Sequence, residues 1–142
     1  MNSDLSRTII GINPMRWDCD KNGCFNKLCR PKIEAFADCF PDRINFGDVD
    51  GIVEVSGNIL MLEWKRKPGI PTGQRRMYEA ITMRDGFNVV CGVGNAETMQ
   101  VDSFTYFHNG KESMPVAASL NDLKSYMRRW ALWAQKCSYP PR

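Results

Sequence analysis

Residues 44–65 read INFGDVDGIVEVSGNILMLEWK, and the reading of this stretch decides the fold. Two runs rich in Val, Ile and Leu flank Ser56-Gly57-Asn58, a turn composition, so they are expected to pair as an antiparallel hairpin. Side chains alternate along a strand, which puts Ile59, Met61, Glu63 and Lys65 on one face and Leu60, Leu62 and Trp64 on the other. A two-residue turn at Gly57-Asn58 pairs Ser56 with Ile59, sets Asp50 opposite Lys65 and leaves it diagonal to Glu63. A turn one residue longer would send Asp50 to the other face. The register therefore decides whether two carboxylates and an ammonium converge.

Outward from the hairpin, the preceding PKIEAFADCF (31–40) spaces Ile33, Phe36, Ala37 and Phe40 as one helical face, with Pro31 tolerated in the first turn and Pro41 as a stop. A short amphipathic helix is expected there. After the loop RKPGIPTG, QRRMYEAITMR places Met77, Tyr78, Ile81 and Met83 on a helix that should begin with Thr72 as N-cap and end at Asp85-Gly86. FNVVCGV reads as a buried strand, and VDSFTYFHNGKE as one or two strands turning at Asn109-Gly110. In SLNDLKSYMRRWALWAQKC, Leu120, Leu123, Met127, Trp130 and either Trp133 or Ala134 form a stripe with a basic margin, the pattern of an amphipathic helix whose Trp residues pack in the core. The fold class is α/β, a central mixed sheet flanked by helices. A single domain, 1–142, is expected to comprise an irregular Cys-containing extension (1–30), a core (31–95) and a strand with the C-terminal helix (96–142).

Bulk properties agree with one domain: 142 residues at 43% hydrophobic content suffice for one packed core. No run of about 18 apolar residues occurs, and MNSDLSRT lacks a signal pattern, so a cytoplasmic protein without a membrane partner is expected. Six unevenly spaced cysteines point to reduced thiols or a metal site before disulfides. Cys19, Cys24 and Cys29 recur at five-residue intervals and Cys39 follows ten later, a set that could hold a structural Zn²⁺; the lack of a CxxC pair favours isolated thiols. His108 beside its turn reads as a surface residue, and Gly92 and Gly94 make no phosphate fingerprint.

The net charge of +3 is unevenly spread. Residues 1–60 carry seven basic and nine acidic side chains, 61–84 six and two, and 119–142 five and one. Basic segments beside an acidic stretch suit a polyanion that must approach a carboxylate-built cation site, although solvated faces of this size also occur. The hard oxygens of Asp50 and Glu63 suit Mg²⁺, with Mn²⁺ as substitute, and such an ion activates water and offsets charge on a phosphoryl group. Lys65 beside it is expected to act as an ammonium on the scissile phosphate. The alternative is an Asp50-Lys65-Glu63 salt-bridge ladder with no chemistry.

Asp50, twelve intervening residues and Glu63-Trp64-Lys65 together resemble the signature of the PD-(D/E)XK nuclease superfamily. Glu34, on the helix before the hairpin, resembles the additional metal-binding acid of Holliday-junction-resolvase-like members. Gln74 resembles the glutamine of the VRR-NUC branch, and Gln74 with Tyr78 also fits the QxxxY pattern of exonuclease-type members. The resemblance covers about residues 31 to 95, where the expected order α, β, β, α, β is the one the family requires. It implies a restriction-endonuclease-like core, a phage-type enzyme of the host cytoplasm, metal ligands Asp50, Glu63 and Glu34, and catalytic roles for Asp50, Glu63, Lys65 and Gln74. It also implies a Mg²⁺-dependent deoxyribonuclease. Gly47 stands where the signature often has Pro, directly before Asp48, which makes Asp48 a rival to Asp50.

Arg66, Lys67, Arg75 and Arg76 surround this site in sequence and are expected to meet backbone phosphates. No base-reading helix stands out, so a structure-selective endonuclease acting on branched or flapped DNA is expected before a restriction enzyme. An exonuclease of the same superfamily and a non-catalytic DNA-binding or inhibitor protein that keeps the fold are the other readings. A homodimer through the C-terminal helix is a further expectation.

Overall fold

A computed structural model describes residues 31–141. The chain's contacts separate it into a unit ending at Gly47 and one beginning at Asp48. Cys19, Cys24 and Cys29 lie outside the described residues, while Cys39 is exposed, its thiol directed to the neighbouring Asp38 carboxylate at 3.8 Å.

In the first unit, the amphipathic helix expected over 31–40 is only a 3-10 turn, Ile33–Phe36, with no buried residue. Pro31 and Pro41 leave room for fewer than three helical turns, too little to repay nucleation without a face to pack against. The aromatic residues meant for that face gather around Phe46, which packs edge-on against Phe36 at 5.9 Å and Phe40 at 5.1 Å between ring centres.

The second unit is α/β. Strands β1 (Gly51–Val55), β2 (Asn58–Lys65), β3 (Phe87–Asn95), β4 (Gln100–His108), β5 (Lys111–Glu112) and β6 (Val116–Ala117) form an open mixed sheet in the order β1-β2-β3-β4-β5, with β6 also paired to β4. Helix α1 (Thr72–Thr82) carries the chain from β2 to the parallel β3, and every other pairing is antiparallel. Helix α2 (Leu120–Lys136) closes the second face.

The alternation expected for β2 divides the core in two. Leu60, with Leu62 and Trp64 partly buried, packs with Val90, Phe104 and the α2 residues Leu123, Trp130 and Ala134. Met61, on the opposite face, packs with Val89, Cys91, Phe107 and Tyr78 of α1. Ser119 caps α2 by accepting from the Asp122 N–H, and Asp122 returns the bond to the Ser119 N–H. Trp133 falls outside the buried stripe and Ala134 inside it. At α1 the cap position belongs to Pro71 and not to Thr72, which is the first helical residue; Met77 and Met83 face outward while Tyr78 and Thr82 are buried. None of the helices among the described residues is long and apolar enough to cross a membrane.

The hairpin forms with its turn one residue earlier than its composition suggested. Val55 pairs with Asn58, so Ser56 and Gly57 are the central residues, with φ of 50° and 86°. Such a pair of left-handed residues makes the turn that matches strand twist. Asn58 is excluded from the turn because its amide is needed inside, where it donates to the carbonyls of Ala134 at 3.3 Å and Cys137 at 2.8 Å. Gly57 is required for a second reason: a Cβ there would lie 1.5 Å from the Tyr139 carbonyl oxygen, because the C-terminal segment crosses the turn. The shift moves the pairing by two places, an even number, so the faces survive while the partners change. Gly51 pairs with Leu62, and the next step outward brings Asp50 beside Glu63 instead of Lys65.

Candidate active site

Glu63 occupies the α1 face of β2, beyond Met61, and only 6% of its surface is exposed. Its neighbour across the parallel pairing is Cys91 on β3, a buried residue. Asp50, immediately before β1, accepts a hydrogen bond from the Trp64 backbone N–H through Oδ2 at 2.7 Å. That bond fastens the aspartate to the strand carrying Glu63 and replaces the ladder bond that the end of β1 would otherwise make.

The electrostatics follow from this packing. Burial pushes the Glu63 carboxyl above its ordinary value, the charges of Asp50 and then Asp48 push it the same way, and Lys65 opposes them. Tyr78, fully buried on α1, directs its hydroxyl toward Glu63 closely enough to influence it, yet the pair forms no hydrogen bond of normal geometry. Both Glu63 Oε1 and the Tyr78 hydroxyl are buried without a hydrogen-bond partner. Burial first and Glu63 second raise the Tyr78 phenol well above its usual range, and the same two causes push the Cys91 thiol up to about 12. Neither group ionises at neutral pH.

Lys65, at the end of β2 on the same face, donates from Nζ to Gln74 Oε1 in the first turn of α1. It forms no ion pair with Asp50 or Glu63. The strand and the crossover helix thus bring together four residues expected to meet: Asp50, Glu63, Lys65 and Gln74. Glu34 lies on the 3-10 turn of the preceding unit. No group of three or more His, Cys, Asp or Glu is arranged around one metal position among the described residues.

No protein-family model, curated protein or solved structure matches this chain.

Of the expected phosphate contacts, Arg66, Lys67 and Arg76 are exposed. Arg75 is engaged by Glu112 of β5, Nε to Oε2 at 2.8 Å, and would have to leave that partner to reach a phosphate. His108 is exposed as expected, with Nδ1 2.7 Å from Asn88 Oδ1. Gly92 serves packing, since a Cβ there would press on the Trp64 ring at 3.2 Å, and the Trp64 indole N–H reaches the Gly94 carbonyl at 3.1 Å. One neighbour of Glu63 was not singled out by sequence, and another, Tyr78, was noted for its QxxxY pattern with Gln74 and its place on a helix but not as a neighbour of Glu63. Cys91 gave no signal, because its place beside Glu63 depends on a parallel register set by the crossover.

Proposed function

We propose that this chain is a divalent-metal-dependent nuclease with a restriction-endonuclease-like core, hydrolysing phosphodiester bonds in DNA and selecting its target by structure. The observation that carries this reading is the unpaired, buried Oε1 of Glu63 beside a second carboxylate, with the nearby lysine turned onto a glutamine. A buried carboxylate without compensation is costly, and a purely structural arrangement would pair Lys65 with it. The salt-bridge ladder is absent.

A divalent cation between Asp50 and Glu63 would relieve the like-charge repulsion and satisfy the orphaned oxygen. Mg²⁺ keeps several of its waters and needs only one or two protein carboxylates, so the pair fits it without a third ligand. When bound, the ion supplies an acidified water and offsets charge on the phosphoryl oxygens. The chain's own groups then divide the remaining work. Lys65 has three N–H donors, of which Gln74 takes one, leaving two to meet a phosphoryl oxygen as charge builds on it. Gln74 holds that ammonium in place and keeps its own NH₂ group available to a water or phosphate. Tyr78 is held protonated and does not act as a base. Arg66, Lys67 and Arg76 lie on exposed chain before and within α1, where they can contact backbone phosphates without reading sequence.

The test is incubation with Mg²⁺ or Mn²⁺ and a panel of linear, nicked, flapped and four-way DNA. Metal-dependent cutting at internal positions of branched substrates is expected. Release of nucleotides from ends would assign an exonuclease, and intact DNA across the panel with both metals would overturn the reading.

A further inference from the structure

Two adjoining cavities lie at the other end of the sheet from Glu63, one of about 510 Å³ and one of about 240 Å³, and they share Asn88, His108 and Trp133. Asn58 lines the larger; it opens β2, so about 17 Å of strand separates it from Glu63. The smaller sits on the α2 face, whereas Glu63 is on the α1 face. This is a separate region built from different residues.

Its lining combines aromatic surface and cations. Trp133 is 40% exposed, and its ring meets His108 edge-on at 6.4 Å. Tyr106 stacks on Tyr126 at 5.4 Å with planes 25° apart, so the tyrosine wall is already ordered. Trp130 lines the smaller cavity, is 92% buried by its 8% exposure, and its indole N–H has no hydrogen-bond partner. Arg84, Arg129 and Lys136 supply three positive charges around the two cavities against one carboxylate, Asp85. Burial holds the Tyr126 phenol protonated, raised to about 12, so the tyrosine wall adds no negative charge at neutral pH.

Flat aromatic surface selects a planar ring, and the excess of cations selects an anion attached to it. A nucleotide unit unites these features. We infer that this aromatic and basic groove binds single-stranded nucleic acid, stacking a base on Trp133 and placing backbone phosphates against Lys136 and Arg84. The two cavities extend along the groove beyond the needs of one base, and a strand would occupy both. The site lies apart from the proposed cutting residues, and binding there is measured without any cleavage.

The experiment is fluorescence anisotropy of a labelled oligothymidylate with the 142-residue chain in divalent-free buffer. Trp133→Ala should weaken binding by on the order of tenfold, and Trp133→Phe should recover most of the loss. Lys136→Gln, at an exposed position, should lower the slope of log affinity against log salt by about 0.7, the signature of one lost phosphate contact. Unchanged affinity and salt slope in both Trp133→Ala and Lys136→Gln would overturn the inference. So would thymidine monophosphate competing as well per molecule as the oligomer, since the groove would then serve a free nucleotide.

Discussion

At the residue scale, the arrangement turns on a carboxylate kept where its charge is unwelcome. Glu63 has a folded value above its ordinary one, so between the two values the folded chain holds more protons than the unfolded chain. Stability therefore falls as pH rises from about the ordinary value of 4.5 through the raised one. Glu63→Gln should remove that component, and melting temperature followed from weakly acid to neutral pH should decline less steeply in the variant than in the natural chain. Added Mg²⁺ should raise the melting temperature of the natural chain at neutral pH, where Glu63 is ionised, and leave Glu63→Gln almost unmoved. A variant that melts lower at every pH with the same slope would show that Glu63 is a structural partner.

In the proposed cleavage, Lys65 and Gln74 would act differently. On that proposal Lys65→Ala would remove charge stabilisation that grows toward the transition state, so the cleavage rate should fall by roughly 10²-fold or more while Mg²⁺ affinity barely changes. Gln74→Ala leaves the charge but frees its position, and a loss on the order of ten- to a hundredfold is expected. Single-turnover rates beside a metal titration separate the two effects. Unfolding of Lys65→Ala without a specific kinetic defect would favour a structural lysine.

At the scale of elements, the hairpin gathers the site, and its turn sets the register. Gly57 has φ of 86° and lies under the Tyr139 carbonyl. Gly57→Val meets both a left-handed backbone and a backbone oxygen, so a loss of stability above about 1 kcal/mol is expected in denaturant unfolding. Because the register depends on the same turn, cleavage should fall with stability. The hairpin, its alternation and the convergence of Asp50 with Glu63 were legible in sequence, since apolar runs and a Gly-containing turn encode them locally. The exact partners were not. Turn placement was decided by Asn58, whose amide is claimed by Ala134 and Cys137, some 76 and 79 residues away in sequence. The segment before the hairpin misled for the opposite reason: its periodicity was helical, but helical spacing alone cannot stabilise so short a piece.

At the scale of the whole molecule, α1 does most to make the site. It carries Gln74 and Tyr78 onto the strand face that already holds Glu63 and Lys65, and its crossover sets β3 parallel to β2 with Cys91 beside Glu63. A parallel pairing of this kind joins residues far apart in the chain, which is why Cys91 was invisible and Gln74 was found only through its resemblance to the VRR-NUC glutamine and its pattern with Tyr78. The division after Gly47 also matters, because it leaves Asp48, Asp50, Glu63, Lys65 and Gln74 within one unit. The proposed site is thus contained in that unit, and the decisive measurement is Mg²⁺-dependent cleavage of branched DNA by the natural chain, Asp50→Asn and Asp48→Asn in parallel. Cutting by the natural chain and by Asp48→Asn is expected, and none by Asp50→Asn, with DNA binding in Ca²⁺ preserved in all three. Cutting by Asp50→Asn at the natural rate, or its loss in Asp48→Asn alone, would contradict the proposed site.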